Sequence, residues 1–487
     1  MQSRRDQIQA YSFVMGRLSA GVLRVDPSHP DQPVSRTNRG MALGFVLGLV
    51  GVMVVGIYGF VVPGGNTAWR KDGAFVLAED SGARYLYVEG ELHPVLNEAS
   101  ARLVAGDSMK LEAVKSASLR GAPVGAPVGI VGAPDALPRP GALERRGWTT
   151  CVLPPTTAGG PSRVVLRVGL PVAGPGPSDA QGVLVQTPDG ALWLLWQGRR
   201  LAVGSRHAEA RALGYTALTP VPVSEDFLDA VPAGPDLATP EVPGLGSSGP
   251  PLAGRATRVG QVFADASGHH YLLTREGLAP LTATLTALYL GDPRVQSGAY
   301  GGAAVTVGRI GPADLARAAV PGPAPEPLAN LASLLPAKPP EVVAVPSGHT
   351  VCVELDAHQN ELSSRIGVVR QAPVEKDTMA PGQGPGVVAS CRPADLVAVQ
   401  PGSGALVTAV ASSGGKAVTP YLVTDDGVKY PIPSAVVVTR LGYSTDDEMT
   451  LPTNVLGLLP TGPSLDPELL ANGGVVPPRT TPVPCVS

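Results

Sequence analysis

The sequence has few aromatic and few charged residues. Aromatic side chains make up 4% and charged side chains 16% of its 487 residues, whereas glycine and proline number 60 and 52. This composition excludes a coiled coil, a helix bundle and a highly charged disordered chain. The formal net charge is −3, because 37 basic residues nearly balance 40 acidic ones. No overall positive field attracts phosphate backbones, so we do not expect nucleic acid as a partner.

The sequence also lacks the motifs of common exported enzymes. It has no Gly-x-Ser-x-Gly and no His-Glu-x-x-His. Gly415-Lys416 comes closest to a phosphate-binding loop, but Val410 stands where the first glycine belongs and Ala417 replaces the hydroxyl residue that binds magnesium. We therefore predict a hairpin turn at this position, and no catalytic, cofactor-binding or metal-binding residue in the chain.

One long apolar stretch is present near the amino terminus. No charged residue occurs from Gly40 to Gly65, and residues 41–62 form a run long enough to cross a bilayer as a helix. A signal peptide would have a shorter apolar region that ends at a small-x-small site. We therefore predict an uncleaved transmembrane helix; a buried helix of a soluble protein is the alternative.

The charges on the two sides of this helix predict its orientation. The residues before it contain more basic than acidic side chains, and the basic ones are Arg4, Arg5, Arg17, Arg24, Arg36 and Arg39. The positive-inside rule then leaves residues 1–40 in the cytoplasm and the bulk of the chain outside the plasma (inner) membrane. Gly40, Gly44 and Gly48 share one helix face, which predicts either close packing on another transmembrane helix or simple tolerance of glycine.

The cytoplasmic arm has an apolar stripe with helical spacing. Its members follow one another at intervals of three and four residues, and they are Ile8, Tyr11, Met15, Leu18, Val22 and Val25. This pattern predicts an amphipathic helix at about residues 6–26, before Asp26-Pro27. We favour a partner protein as the surface that covers the stripe; the membrane surface is the alternative.

Four segments beyond the membrane share one local pattern. In each, a strand begins at an aromatic residue, and a glycine five or six residues later forms a turn. An apolar residue of the next strand follows ten or eleven residues after the aromatic. The aromatic residues are Tyr85, Trp193, Tyr271 and Tyr421. An earlier turn and a later helical stretch complete each unit, so we predict small repeats of a β-meander plus a helix. Each is too small to fold alone and must pack on its neighbours or on a shared centre.

These observations predict a β-rich α+β protein. Its expected order is a cytoplasmic arm at 1–40, a transmembrane helix at 41–62, repeat 1 at 63–120, a first core segment at 121–180, repeat 2 at 181–245, repeat 3 at 255–315, a second core segment at 330–400, repeat 4 at 401–470, and a proline-rich tail at 471–487.

All four cysteines lie beyond the membrane helix: Cys151, Cys352, Cys391 and Cys485. An even number in an oxidising compartment suggests two disulfides, although four cysteines permit three pairings. Free buried thiols are the alternative.

The chain resembles the EccB family, the single-pass membrane component of type VII (ESX) secretion systems of actinobacteria. The resemblance runs from the arm to about Leu470, and its most specific stretch is Leu92-His93-Pro94-Val95 with Ser100-Ala101-Arg102-Leu103. Further matching stretches are 114–116, 129–134, 148–151, 222–225, 259–263 and 462–465.

The resemblance implies a structural subunit of the inner-membrane secretion complex, beside EccC, EccD and EccE, with homo-oligomer contacts through the extracytoplasmic region. It implies four repeats around a central β-rich core and a disulfide between Cys151 and Cys352, which leaves Cys391 to pair with Cys485. Two alternatives remain: ATP hydrolysis, with ATP as the only cofactor, because that activity has been attributed to the family, and peptidoglycan binding, with Trp193 and Trp196 as sugar-stacking residues.

Overall fold

The computed structural model describes residues 4–23, 34–61, 67–157, 159–171, 174–204, 208–252, 254–320, 328–358, 361–410, 419–471 and 473–478. The chain divides into two compact units. The first comprises Met1–Leu92 with Leu111–Pro123, and the second comprises His93–Lys110 with Val124–Ser487.

The first unit contains two long helices, Arg4–Leu23 and Val34–Val61. It also holds most of a four-stranded sheet, whose strands are Ala74–Ala78, Arg84–Val88, Glu91–Pro94 and Lys110–Val114. The apolar face of this sheet packs on Trp69, which is fully buried and meets the ring of Tyr87 edge-on at 5.4 Å.

The four predicted repeats form four sheets with one topology. In each sheet the strands lie in the order third, second, first, fourth. Repeat 2 has strands Gln181–Gln186, Leu192–Trp196, Arg199–Val203 and Val221–Pro222; repeat 3 has Val262–Ala264, His270–Leu273, Leu278–Leu281 and Gly308–Arg309; repeat 4 has Ala405–Val410, Pro420–Val423, Lys429–Pro431 and Met449–Pro452. In repeats 2, 3 and 4 the fourth strand returns after the helix and pairs parallel with the first.

The predicted turn glycines lie where the second strand meets the third. Gly90 has φ 89° and Gly427 has φ 73°, a left-handed conformation that a side chain with a Cβ rarely adopts. The corresponding positions in repeats 2 and 3 also have positive φ. These turns therefore explain why the same glycine recurs in every repeat.

The helices of the repeats pack in pairs within the second unit. The helix of repeat 1, Glu98–Ala105, packs on that of repeat 4, Ala435–Arg440, and Ala208–Ala212 of repeat 2 packs on Ala283–Gly291 of repeat 3. Asn97 caps the first of these helices by accepting a hydrogen bond from the Ser100 amide at 3.0 Å. Each pair closes its own apolar core.

A central five-stranded sheet occupies the two predicted core segments. Its strands, in spatial order, are Glu361–Arg370, His349–His358, Trp148–Leu153, Arg163–Arg167 and Leu396–Ala398. One face buries Trp148 and Leu166 in a core that also includes the inner faces of the sheets of repeats 2 and 4. The other face holds a smaller cluster that contains Cys151 and Cys352. The predicted β-rich α+β class is confirmed.

Short elements fill the connections. The helices are Glu225–Ala230, Pro293–Tyr300, Pro312–Ala318, Leu328–Leu334, Gln371–Glu375 and Thr453–Leu456, with 3-10 turns at Gly106–Ser108, Ser116–Leu119, Pro140–Ala142, Thr445–Asp447 and Pro467–Leu470. The remaining strands are Gly129–Ile130, Ser248–Leu252, Arg255–Arg258, Glu341–Val342 and Val475–Val476.

Candidate functional site: the arm helix, the membrane helix and the central disulfide

The apolar stripe of the arm lies on the helix Arg4–Leu23. Its five described members, Ile8, Tyr11, Met15, Leu18 and Val22, are between 48% and 86% exposed. Val25 lies outside the described residues. A stripe of this kind gains free energy only when another apolar surface covers it. The arm therefore presents an apolar surface that no other described part of the chain covers.

The helix also exposes apolar residues outside the predicted stripe. Val14 adjoins its edge, whereas Phe13 is 63% exposed and, by helical spacing, lies on the opposite face. Neither residue was predicted from the sequence, because neither belongs to the three-and-four pattern.

The membrane helix is apolar over residues Thr37–Tyr58, and none of these residues is buried within the chain. At Gly40, Gly44 and Gly48 a methyl group would meet no atom within 4 Å, and the same holds for Gly51 on the same face. The face is therefore open to the close approach of another helix, as small residues permit.

The central sheet places two cysteines side by side. Cys151 and Cys352 are directly opposite on adjacent antiparallel strands, their Cα atoms are 4.0 Å apart, and they form a disulfide across 201 residues of sequence. Both are buried. The pairing that the resemblance implies is thereby confirmed, and it ties the first core segment to the second.

The second pairing stays a prediction. Cys391 is not a free thiol, but Cys485 lies outside the described residues.

A charged junction that sequence reasoning missed connects repeats 2 and 4. The Asp229 carboxylate accepts a hydrogen bond from Arg200 Nη1 at 2.8 Å and forms an ion pair with Arg392. The Asn454 side-chain amide donates to the backbone carbonyl of Asp229, so the helix Glu225–Ala230 is tied to the helix Thr453–Leu456. These residues are more than two hundred positions apart at the extremes, and no local pattern marks them.

Lys429 lies beside this junction and is half-buried. Its Nζ donates hydrogen bonds to the carbonyl oxygens of Leu456 and Leu459, the latter at 2.8 Å. Burial lowers the pKa of Lys429 to about 8, because the charged form loses its hydration. The lysine therefore donates to the carbonyl groups at the end of the short helix Thr453–Leu456 and just beyond it.

The two tryptophans considered for sugar binding already have protein partners. Trp193 packs toward the central core with the Arg200 guanidinium 5.4 Å above its ring, and Trp196 donates from Nε1 to the Asp179 carbonyl at 2.8 Å on the other face of the sheet. Both side chains are half-buried and pack against apolar clusters on opposite faces of the sheet.

Lys416 lies outside the described residues. The strands that flank it, Ala405–Val410 and Pro420–Val423, pair with each other antiparallel. A phosphate-binding loop instead joins a strand to a following helix.

The chain is similar to a known protein family and to several of its members. Residues 1–474 match the family described as type VII secretion system ESX-1, transport TM domain B. The ESX-3 secretion system ATPase EccB3 of Mycolicibacterium smegmatis is 29% identical over 487 aligned residues, which cover 95% of this chain and 89% of the relative. The ESX-2 secretion system ATPase EccB2 of Mycobacterium tuberculosis is 28% identical, over 97% of this chain and 96% of the relative.

Two solved structures are also similar. A chain of an intact ESX-5 inner membrane complex aligns with a TM-score of 0.64 at 25% identity, covering 100% of this chain and 98% of that one. A chain of the EccB3 dimer from the ESX-3 core complex aligns with a TM-score of 0.61 at 28% identity, covering 81% of this chain and 98% of that one.

Proposed function

Because this chain belongs to the EccB family of type VII secretion systems, we propose that it is a non-enzymatic structural subunit of the inner-membrane secretion complex. The arm helix binds other membrane subunits of the system, of the EccC, EccD and EccE types, and the β-rich repeats contact further copies of the protein. The observation that carries this proposal is the exposed apolar stripe on a helix that precedes a membrane span.

The proposed orientation has the arm in the cytoplasm and the repeats outside. The excess of arginine before the span supports it. The disulfide between Cys151 and Cys352 supports it as well, because such bonds persist in oxidising compartments outside the cytoplasm.

The absence of enzymatic activity belongs to the proposal, although relatives carry the word ATPase in their names. Lys416 falls between two antiparallel strands, and Ala417 supplies no hydroxyl for magnesium. We expect purified full-length protein in detergent to release no phosphate from ATP above the buffer rate. Phosphate release that disappears in Lys416→Ala, but persists in the matched variant Lys338→Ala, would contradict the proposal.

A deletion tests the docking role. Removal of residues 1–26 should leave the protein in the membrane, because the span Thr37–Tyr58 is intact, but its partner subunits should no longer co-purify. Unchanged partners would overturn the assignment of docking to the arm.

A further inference from the structure

The fourth strand of repeat 1, Lys110–Val114, lies at one end of its four-stranded sheet. Within the described part of the chain, the strand Ala74–Ala78 is its one neighbour in the sheet. Leu111 is 63% exposed, and Lys110 and Ala113 are exposed as well. An exposed edge of this kind offers unpaired backbone groups to a strand of another chain.

One hydrogen bond indicates which backbone groups of this strand point outward. The Val114 carbonyl accepts from the Glu79 amide at 2.9 Å, directly after the strand Ala74–Ala78, so Val114 directs its backbone groups into the sheet. Successive residues of a strand direct these groups to alternate sides. Leu111 and Ala113 therefore direct their N–H and C=O groups to the open edge.

The charges along the strand fit a second copy of the same strand. Lys110 and Glu112 flank Leu111, and neither forms an ion pair with another described residue. In an antiparallel pair of two such strands centred on Leu111, each Lys110 stands opposite Glu112 of the other copy. Opposite charges at such positions stabilise a strand pair, whereas like charges destabilise it.

The neighbouring registers lack this match, because a pair centred on Lys110 or on Glu112 places like charges opposite each other. Charges on an edge strand commonly block pairing, but here their alternation permits one register. In that register the two Leu111 residues can exchange two backbone hydrogen bonds, and the Ala113 amide can donate to the Met109 carbonyl of the other copy. Side-chain charge and backbone direction thus favour the same arrangement.

We propose that two copies of this protein pair edge to edge through Lys110–Val114, antiparallel and centred on Leu111, so that two four-stranded sheets become one continuous sheet. The contact is isologous, with its two-fold axis between the two Leu111 residues. It rests on the proposed contact of the repeats with further copies and names the surface that makes it. Two strands of five residues bury less area than a stable interface needs, so the contact orients copies that the membrane complex already holds together.

Disulfide cross-linking of the full-length protein in its native membrane tests this pairing. Leu111→Cys should form a reducible dimer of the chain on mild oxidation, because opposed Cα atoms in such a pair are about 5.5 Å apart, within the range of a disulfide. The matched variant Ala113→Cys, also at an exposed position of the strand, should stay monomeric. In this register the two copies of position 113 are about 14 Å apart.

Charge reversal tests the register. Lys110→Glu and Glu112→Lys should each lower the dimer yield of Leu111→Cys about fivefold, because like charges then stand opposite each other. Both substitutions together should restore the yield, since the charges are complementary again. Restoration by the double change separates a pairing of charges from damage to the fold.

Three results would overturn the edge pairing. One is a Leu111→Cys protein that stays monomeric in a complex with its partner subunits, which would leave the proposed structural role in place. Another is an equal dimer yield from Leu111→Cys and Ala113→Cys. The third is a double charge change that does not restore the yield. If the protein elutes without partner subunits, the structural role fails, and the Leu111→Cys yield still decides whether two copies pair at this edge.

Discussion

The two amino-terminal helices expose their apolar side chains, whereas the β-rich repeats bury theirs. Leu18 in the arm helix is 59% exposed, whereas Leu194 in repeat 2 is fully buried. The repeats close their cores within the chain, through sheet faces and paired helices. The apolar side chains of the two helices are covered only where lipid or another protein contacts them. Folding and the proposed recruitment therefore depend on different residues.

The largest expected effect is on the folded core. Replacing both Cys151 and Cys352 with serine opens a link across 201 residues. We expect the free energy of unfolding to fall on the order of 4–5 kcal/mol if chain entropy dominates, as measured by tryptophan fluorescence during denaturant unfolding in detergent. Partners should still co-purify from membranes in which the variant remains folded.

A matched control keeps the disulfide and removes one methyl group. Ile366→Val alters the neighbouring strand of the same sheet and should cost only about 0.5–1.5 kcal/mol. If the double serine variant is no less stable than this control, the disulfide does not hold the core as we describe.

The next effect is on recruitment. Leu18→Asp places a charge on the stripe and should weaken partner binding about 10- to 100-fold, because burial of a leucine contributes about 1.5–3 kcal/mol. The free energy of unfolding of the repeats should change by less than about 0.5 kcal/mol. Quantitative co-purification measures partner binding, and a denaturation curve measures the free energy of unfolding.

Phe13→Asp is the control for this variant. It introduces the same charge at a similarly exposed position on the opposite helix face, and we expect it to retain the partners. Equal losses in both variants would mean that the helix binds the membrane or its partners without a defined face.

A smaller effect concerns pH and Lys429. Burial lowers its pKa to about 8, so between about pH 8 and 10.5 the unfolded chain binds more protons than the folded one. Stability of the wild type should then rise with pH relative to Lys429→Met, by about 1 kcal/mol per pH unit. Thermal unfolding of both proteins between about pH 7 and pH 10 gives this difference. Parallel curves would show that the amine is not buried in solution.

The smallest effect is in the membrane helix. Gly44→Leu places a large side chain on a helix face where a methyl group would contact no neighbouring residue. It should reduce the association of this helix with another transmembrane helix roughly fivefold, about 1 kcal/mol. Ala42→Leu, on another face of the helix, should not. The two variants are compared by their cross-linking yields in native membranes. Equal yields would show that the glycines are merely tolerated and form no packing interface.

Local patterns predicted the elements that local chemistry determines. The turn at Gly90 and the helix after Asn97 follow from a glycine with positive φ and a side-chain cap. The first three strands of each repeat follow from apolar runs between such turns. The disulfide between Cys151 and Cys352 came from family resemblance, because four cysteines alone allow three pairings.

Contacts between residues that are far apart in the sequence could not be predicted from local patterns. The returning fourth strand of repeats 2 and 3 is only two residues long, Val221–Pro222 and Gly308–Arg309, and its parallel partner is fixed by the folded sheet. The junction at Asp229 joins residues that no spacing relates. Such contacts depend on how the repeats pack, which periodicity does not encode.

The most direct test of the central claim is extraction of the tagged protein from its native membrane in mild detergent, followed by sizing and mass spectrometry. We predict a megadalton-scale particle that contains a motor ATPase and multi-pass subunits, and its loss in Leu18→Asp while the repeats stay folded. A folded protein that elutes alone would contradict recruitment by the arm.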